Sequence, residues 1–218
     1  MAVLVTGGAG YIGSHMALEL ADHGETVVVL DNLSTGLRRL VPADAAFIEG
    51  DVGDEALLGR LITEFDIESI LHFAGSIVVP DSVVDPLGYY FNNTVKSRTL
   101  IAAAVTHRVK HFIFSSTAAV YGIPERVPVA ETAPLQPISP YGASKMMTEQ
   151  MLADAAVAYP LCYCALRYFN VAGADPAGRS GQASPQATHL MKVACEVVTG
   201  RRGHLDVFGT DYSTRDGT

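Results

Sequence analysis

The segment Thr6-Gly7-Gly8-Ala9-Gly10-Tyr11-Ile12-Gly13 constrains the fold most, because its glycines stand between an apolar run, Val3–Val5, and a helical pattern, Tyr11–His23. A turn this rich in glycine lets the backbone pass abruptly from strand to helix and approach another group closely. The rest of the chain repeats that alternation. Apolar runs of strand length fall at Val27–Leu30, Ala46–Ile48, Ser69–His72, His111–Ser115 and Leu161–Leu166. Helical patterns fall at Asp54–Glu64, Leu87–His107 and Pro140–Tyr159, with Asp54 placed as an N-cap. Near-continuous Val, Ile, Leu and Phe is what a parallel sheet covered on both faces requires. The order implies a Rossmann-type, doubly wound α/β sheet.

Past Asn170 the pattern changes. Ala172–Gly181 is rich in glycine and proline, a helix is expected around His189–Val198, and a short strand at Leu205–Phe208. We therefore expect residues 1–170 to form one domain. Residues 171–218 would begin a second subdomain that is incomplete at Thr218.

Composition removes several classes. A net charge of −8 leaves no basic surface for nucleic acid. No apolar stretch reaches the roughly 18 residues a membrane span needs, and Met1–Val5 lacks the cationic flank of a secretory signal. A cytoplasmic protein is expected. Cys162 and Cys164 alternate along a strand and read as reduced core thiols; no metal site is expected among the three cysteines.

The glycine-rich turn opens a helix whose first N–H groups have no partner within the helix, a ready site for a pyrophosphate. Asp31 ends the second strand roughly 20 residues on, where a carboxylate accepts from both ribose hydroxyls and repels a 2′-phosphate. Asn32 and Leu33 follow it, and Arg38 comes only later, so NAD is favoured over NADP. Asp51-Val52 and Phe73-Ala74-Gly75 end the third and fourth strands, at the edge where such sheets bind ligands.

Tyr141 and Lys145 lie four apart on a helix, one turn from each other on one face. A free phenol titrates near 10 and is a poor base at neutral pH, but a nearby ammonium favours the phenolate. Ser115-Ser116-Thr117 ends the fifth strand, and Thr117 is placed to bond a substrate oxygen and relay its proton to Tyr141.

These blocks resemble the extended short-chain dehydrogenase/reductase family, and within it the epimerases of nucleotide sugars. The likeness runs through Val5–His15, Leu30–Leu33, His72–Gly75, Tyr89–Asn93, Phe114–Gly122, Ser139–Lys145 and Leu166–Asn170. It implies Tyr141 as base, Lys145 as its electrostatic partner and Thr117 as relay. It implies an NAD site drawing on Gly7, Gly10, Tyr11, Ile12, Gly13, Asp31, Asn32, Asp51, Val52, Phe73, Ala74, Gly75, Asn92, Ser115, Tyr141, Lys145 and Phe169. For a UDP-sugar it implies Thr117, Tyr141, Asn170, His189, Leu190, Val207 and Phe208. It also implies a homodimer through the Leu87–His107 and Pro140–Tyr159 segments. Ile77 departs from the family, which often has a lysine there in contact with the cofactor.

Family members that remove water or carbon dioxide carry an acidic residue just after the Ser/Thr; here Ala118-Ala119 cannot move a proton. The expected reaction is NAD-dependent interconversion at C4 of a UDP-hexose through a 4-keto sugar. The alternatives are an epimerase of UDP-N-acetylhexosamines or UDP-uronates, a net dehydrogenase or reductase, and a non-catalytic NAD-binding regulator.

Overall fold

The computed structural model describes residues 2–184, 189–207 and 209–217. Six parallel strands make one sheet: β1 (Ala2–Thr6), β2 (Thr26–Asp31), β3 (Ala46–Glu49), β4 (Ile67–His72), β5 (His111–Ser115) and β6 (Cys162–Leu166). Their order across the sheet is β3-β2-β1-β4-β5-β6, the Rossmann order. The chain therefore reverses direction at β1, and the crevice above the carboxyl ends of β1 and β4 is where such sheets take ligands.

Helices cover the two faces unequally. On one face Leu4, Val28, Leu30, Ile70, Phe112 and Phe114 pack under α2 (Glu55–Glu64), α5 (Lys96–Thr106) and α6 (Pro140–Ala158), with Leu58, Leu61, Leu100 and Leu152 buried among them. On the other face Val3, Val5, Val27 and Val29 pack under α1 (Tyr11–Asp22) and the turn at Val41–Ala45. Asp54 caps α2, its carboxylate accepting from the Leu57 N–H.

That second layer covers β1 and β2 and leaves β6 bare. Cys162, Cys164 and Leu166 pair in register with His111, Ile113 and Ser115 and are exposed. The expectation of core thiols is thus corrected: the strand is hydrophobic, but it lies at the sheet edge beyond the reach of α1.

Two further differences concern chain continuity. The expected single helix Leu87–His107 is α4 (Pro86–Tyr89), a π-helical turn (Tyr90–Val95) and then α5, and a short α3 (Val79–Val84) precedes them. Single π turns are frequent at functional sites. The expected strand near Leu205 does not form: Leu205–Val207 is irregular, and Phe208 lies outside the described residues. A strand holds only where a neighbour takes its N–H and C=O groups. The last described helix, α7 (Leu190–Val198), does match its pattern.

Residues 173–180 fold back over α1. Tyr11 Oη donates to the Gly173 carbonyl at 2.6 Å, Ser14 and Ser180 share a hydrogen bond at 2.6 Å, and Arg179 bridges Asp22 and Asp175.

The glycine-rich turn supplies a stability test. A Cβ on Gly13 would lie 2.2 Å from the Gly7 carbonyl oxygen, whereas one on Gly203 would meet nothing within 4 Å. Gly13→Ala should cost about 1–3 kcal/mol of unfolding free energy in denaturant titration, and Gly203→Ala less than about 0.5 kcal/mol.

Candidate active site

The residues singled out from the sequence converge on the carboxyl edge of the sheet. Gly7 turns the chain at the end of β1 with φ of +69°, and a Cβ there would stand 2.6 Å from the Ala74 nitrogen. Gly10 is the N-cap of α1 and supplies no side-chain cap, so Tyr11, Ile12 and Gly13 present free N–H groups at the positive end of the helix. Asp31 is buried beside them. Its Oδ2 accepts from Ala9 N at 2.9 Å and its Oδ1 from Leu33 N at 2.8 Å. A carboxylate has about four acceptor positions, so one stays open on each oxygen, which suits a vicinal ribose diol.

At the end of β3, Asn32, Asp51 and Lys96 form a polar cluster, with Val52 buried beneath. Burial alone would raise the Asp51 carboxyl, but hydrogen bonds from Lys96, Gly53 and Asn32 together hold it below its usual range.

The positions of Tyr141 and Lys145 depend on where α6 begins. Ser139 caps it by accepting from Gly142 N at 3.2 Å, and Pro140 opens the first turn, so Tyr141 sits at the positive end of the helix. There the helix dipole favours a phenolate. Gly142 lets this turn approach the 3₁₀ turn Ala118–Tyr121: a Cβ would meet the Ala119 oxygen at 2.8 Å. That approach sets Thr117, whose hydroxyl accepts from Ala119 N at 3.1 Å, beside the Tyr141 phenol. Burial raises the Tyr141 phenol, and Thr117 works against the rise.

Lys145 is buried one turn further along. Its Nζ donates to the Ser115 carbonyl at 3.0 Å and lies 4.9 Å over the Phe114 ring, and burial brings it down to about 8. The ammonium is aimed at a backbone oxygen and an aromatic face, and burial of the phenol prevails.

A buried chain of hydrogen bonds links the two parts of the site. Ser97 uses its one hydroxyl proton on the Asn93 carbonyl at 2.5 Å, so it must accept from His72 Nε2 at 2.7 Å. His72 Nδ1 is then the acceptor for the Thr6 hydroxyl at 2.7 Å. Burial holds the imidazole neutral, its pKa pushed down to about 3. The Asn93 side chain accepts from Ser76 N and donates to the Ser76 carbonyl and to Ser144 on α6. The neighbouring Asn92, expected at the cofactor, donates to the Ser76 hydroxyl at 2.9 Å. A second support lies under the strand ends. Glu149 accepts from Ser116 and forms an ion pair with Arg167 at 2.6 Å, and Arg167 also donates to Tyr121. Ser115 shares a hydrogen bond with Tyr168.

The sequence assigned no site role to His72, Asn93, Lys96, Glu149 or Tyr168. Glu149 stands four residues after Lys145, a spacing that could have flagged it; the others carry no local signal. Phe169, expected at the cofactor, and Asn170, His189, Leu190 and Val207, expected at a sugar nucleotide, have no bond to this cluster among the described residues. Phe169 and Asn170 are exposed, Leu190 and Val207 likewise, and His189 bonds Gln182 at 3.0 Å. No group of three or more metal-ligating side chains occurs among the described residues, and no helix among them is long and apolar enough to cross a membrane.

A Rossmann sheet with a Thr/Tyr/Lys cluster at its carboxyl edge defines the class of nicotinamide-type α/β proteins. Residues 3–217 match the NAD dependent epimerase/dehydratase family, and the chain belongs to it. It is 59% identical over 216 residues to a UDP-glucose 4-epimerase of Azospirillum brasilense, covering 99% of this chain and 62% of that protein. To the UDP-glucose 4-epimerase of Halalkalibacterium halodurans it is 45% identical, over 100% of this chain and 65% of that one. The crystal structure of UDP-glucose 4-epimerase from Brucella ovis in complex with NAD superposes with a TM-score of 0.94 at 46% identity, covering 99% of this chain and 66% of that chain. The enzyme from Bifidobacterium longum in complex with NAD+ and UDP gives 0.93 at 38% identity, over 100% and 68%. The chain thus spans just under two thirds of the length of those two curated relatives.

The lysine provides a test of the site's electrostatics. Burial holds Lys145 near 8 instead of 10.5. Between those values the unfolded chain binds the extra proton, so stability should rise with pH across that window. In urea titrations from pH 8 to 10, Lys145→Met should remove that rise. Equal slopes in both proteins would show that the ammonium is not held down.

Proposed function

We propose that this chain binds NAD across the carboxyl edge of β1–β5 and catalyses C4 epimerisation of a UDP-hexose. The observation that carries the reading is Thr117 beside Tyr141 at the N-terminus of α6, with buried Lys145 one turn on. The residues fit the cofactor: unpaired N–H groups of α1 for the pyrophosphate, two open acceptors on Asp31 for a ribose, and Gly75 beside the Lys145 ammonium, where a Cβ would stand 3.5 Å from Nζ. When bound, NAD supplies the hydride acceptor for oxidation at C4 and the donor for its reversal. Tyr141 accepts the O4 proton as the 4-keto sugar forms and returns it once the opposite face is presented. Thr117 holds the same oxygen and shortens the proton's path. Lys145, buried and cationic below its shifted pKa, favours the phenolate electrostatically and reaches the cofactor-side hydroxyls. Ala118 and Ala119 offer no second acid, which removes dehydration and leaves reversible oxidation.

Residues 1–170 form the NAD domain in this reading. Residues 171–218, with Asn170, His189, Leu190, Val207 and Phe208, belong to the part that holds the sugar nucleotide. Three unpaired thiols suit a reducing cytoplasm. Val83, Val84, Leu87, Phe91 and Val95 leave an exposed apolar strip along α3–α5, continued by Met147 on α6, and a homodimer through that strip would cover it.

Tyr141→Phe should lower UDP-glucose/UDP-galactose interconversion by at least about 10²-fold while NAD affinity and fold persist. Full turnover by that variant would sink the assignment. Leu87→Glu should shift a dimer to monomer in analytical ultracentrifugation, and an unchanged sedimentation coefficient would place the interface elsewhere.

A further inference from the structure

The inference here deepens the cofactor reading and rests on it. Sheet order fixes where each part of a dinucleotide falls. The pyrophosphate belongs over the glycine-rich turn of β1, the adjoining ribose on Asp31 at the end of β2, and the base beyond it, at β3. Asp51 stands two residues past the end of β3, with buried Val52 as an apolar floor.

Asp51 Oδ1 accepts from Gly53 N at 2.8 Å, and Oδ2 accepts from Lys96 Nζ at 2.6 Å and from Asn32 Nδ2 at 3.2 Å. Three of about four acceptor positions are filled, and the open one is on Oδ1. Lys96 starts α5, directly after the π-helical turn. Its stem lies over Gly53, where a Cβ would stand 3.1 Å from Lys96 Cγ, and its Nζ is 5.6 Å from the Phe91 ring centre. The Lys96 side chain is only 17% exposed, so the ammonium is held on the carboxylate.

We propose that Lys96 is a positioning residue that fixes Asp51 as a single-acceptor reader of the base, selecting a 6-amino purine over a 6-oxo purine. A 6-amino group donates to the open position on Oδ1. A 6-oxo group presents an oxygen there and meets lone pair with lone pair. A free carboxylate could rotate to accept from the ring N1–H of a 6-oxo purine instead. The lysine clamp denies it that rotation.

Titration calorimetry of the 218-residue chain with NAD and with nicotinamide hypoxanthine dinucleotide tests this directly. The native chain should favour NAD by about tenfold or more, a difference of about 1.4 kcal/mol. Lys96→Met should bring the two affinities within about threefold of each other, and Lys96→Arg should retain most of the preference. Nicotinamide mononucleotide, which has no purine, should bind all three proteins alike, and circular dichroism should show unchanged folding. An equal loss for both dinucleotides in Lys96→Met would reduce the lysine to a counter-charge and overturn the proposal, as would an unaltered preference. A native chain that binds both dinucleotides equally defeats this inference alone. One that binds neither defeats the cofactor reading beneath it as well.

Discussion

The hydrogen-bonded line from Thr6 through His72 and Ser97 to Asn93 joins the last residue of β1 to the helix that carries Tyr141 and Lys145. Each member is buried, so every donor and acceptor must be matched or a desolvation cost of about 1–3 kcal/mol is left uncompensated. That demand fixes the imidazole tautomer: Ser97 has one proton, Asn93 takes it, and His72 must donate. Thr6 adjoins Gly7, and Asn93 reaches Ser144, one residue before Lys145. The distance between the glycine-rich turn and α6 is thereby set by a chain of short bonds rather than by loop geometry.

The electrostatics follow from the same burial. A neutral His72 adds no second positive charge beside Lys145, whose own ammonium is already disfavoured by the low dielectric around it. Tyr141 is pushed the other way, toward the protonated phenol, and the helix N-terminus and Thr117 oppose that push. Glu149 and Arg167 anchor the ends of β5 and β6 beneath this group. The Thr117 and Tyr141 hydroxyls thus stand at the starts of two helical turns, above supports that are charged or hydrogen-bonded.

Much of this was legible in the chain. Period-two and continuous apolar runs located all six strands, because a parallel sheet buried on both faces leaves little choice of residue. Asp54 and the Ser139-Pro140 pair mark helix starts through capping, a local interaction. Tyr141 and Lys145 could be paired because helical spacing is fixed. Other features were hidden. Lys96 and Asp51 are 45 residues apart, and no periodicity links them. Asn93 is the buried member of the Asn92-Asn93 pair in the π turn, which the sequence alone does not distinguish. Helical spacing placed Lys145 one turn from Tyr141, but only the fold decides that its ammonium donates to the Ser115 carbonyl.

Local rules, acting within a few residues, were determined by the sequence itself: glycine at turns needing positive φ, apolar runs at strand spacing, caps before helices, and the carboxylate closing β2. Family membership rests on the same ordered blocks. Tertiary structure alone decided which hydrophobic strand would be covered, and Cys162 and Cys164 lie exposed because α1 sits over β1 and β2 instead. It also decided which buried polar groups meet, because desolvation is felt only once segments distant in the chain close around them. The glycine-rich turn announces a ligand, but the carboxylates and cations that read it are assembled by the fold.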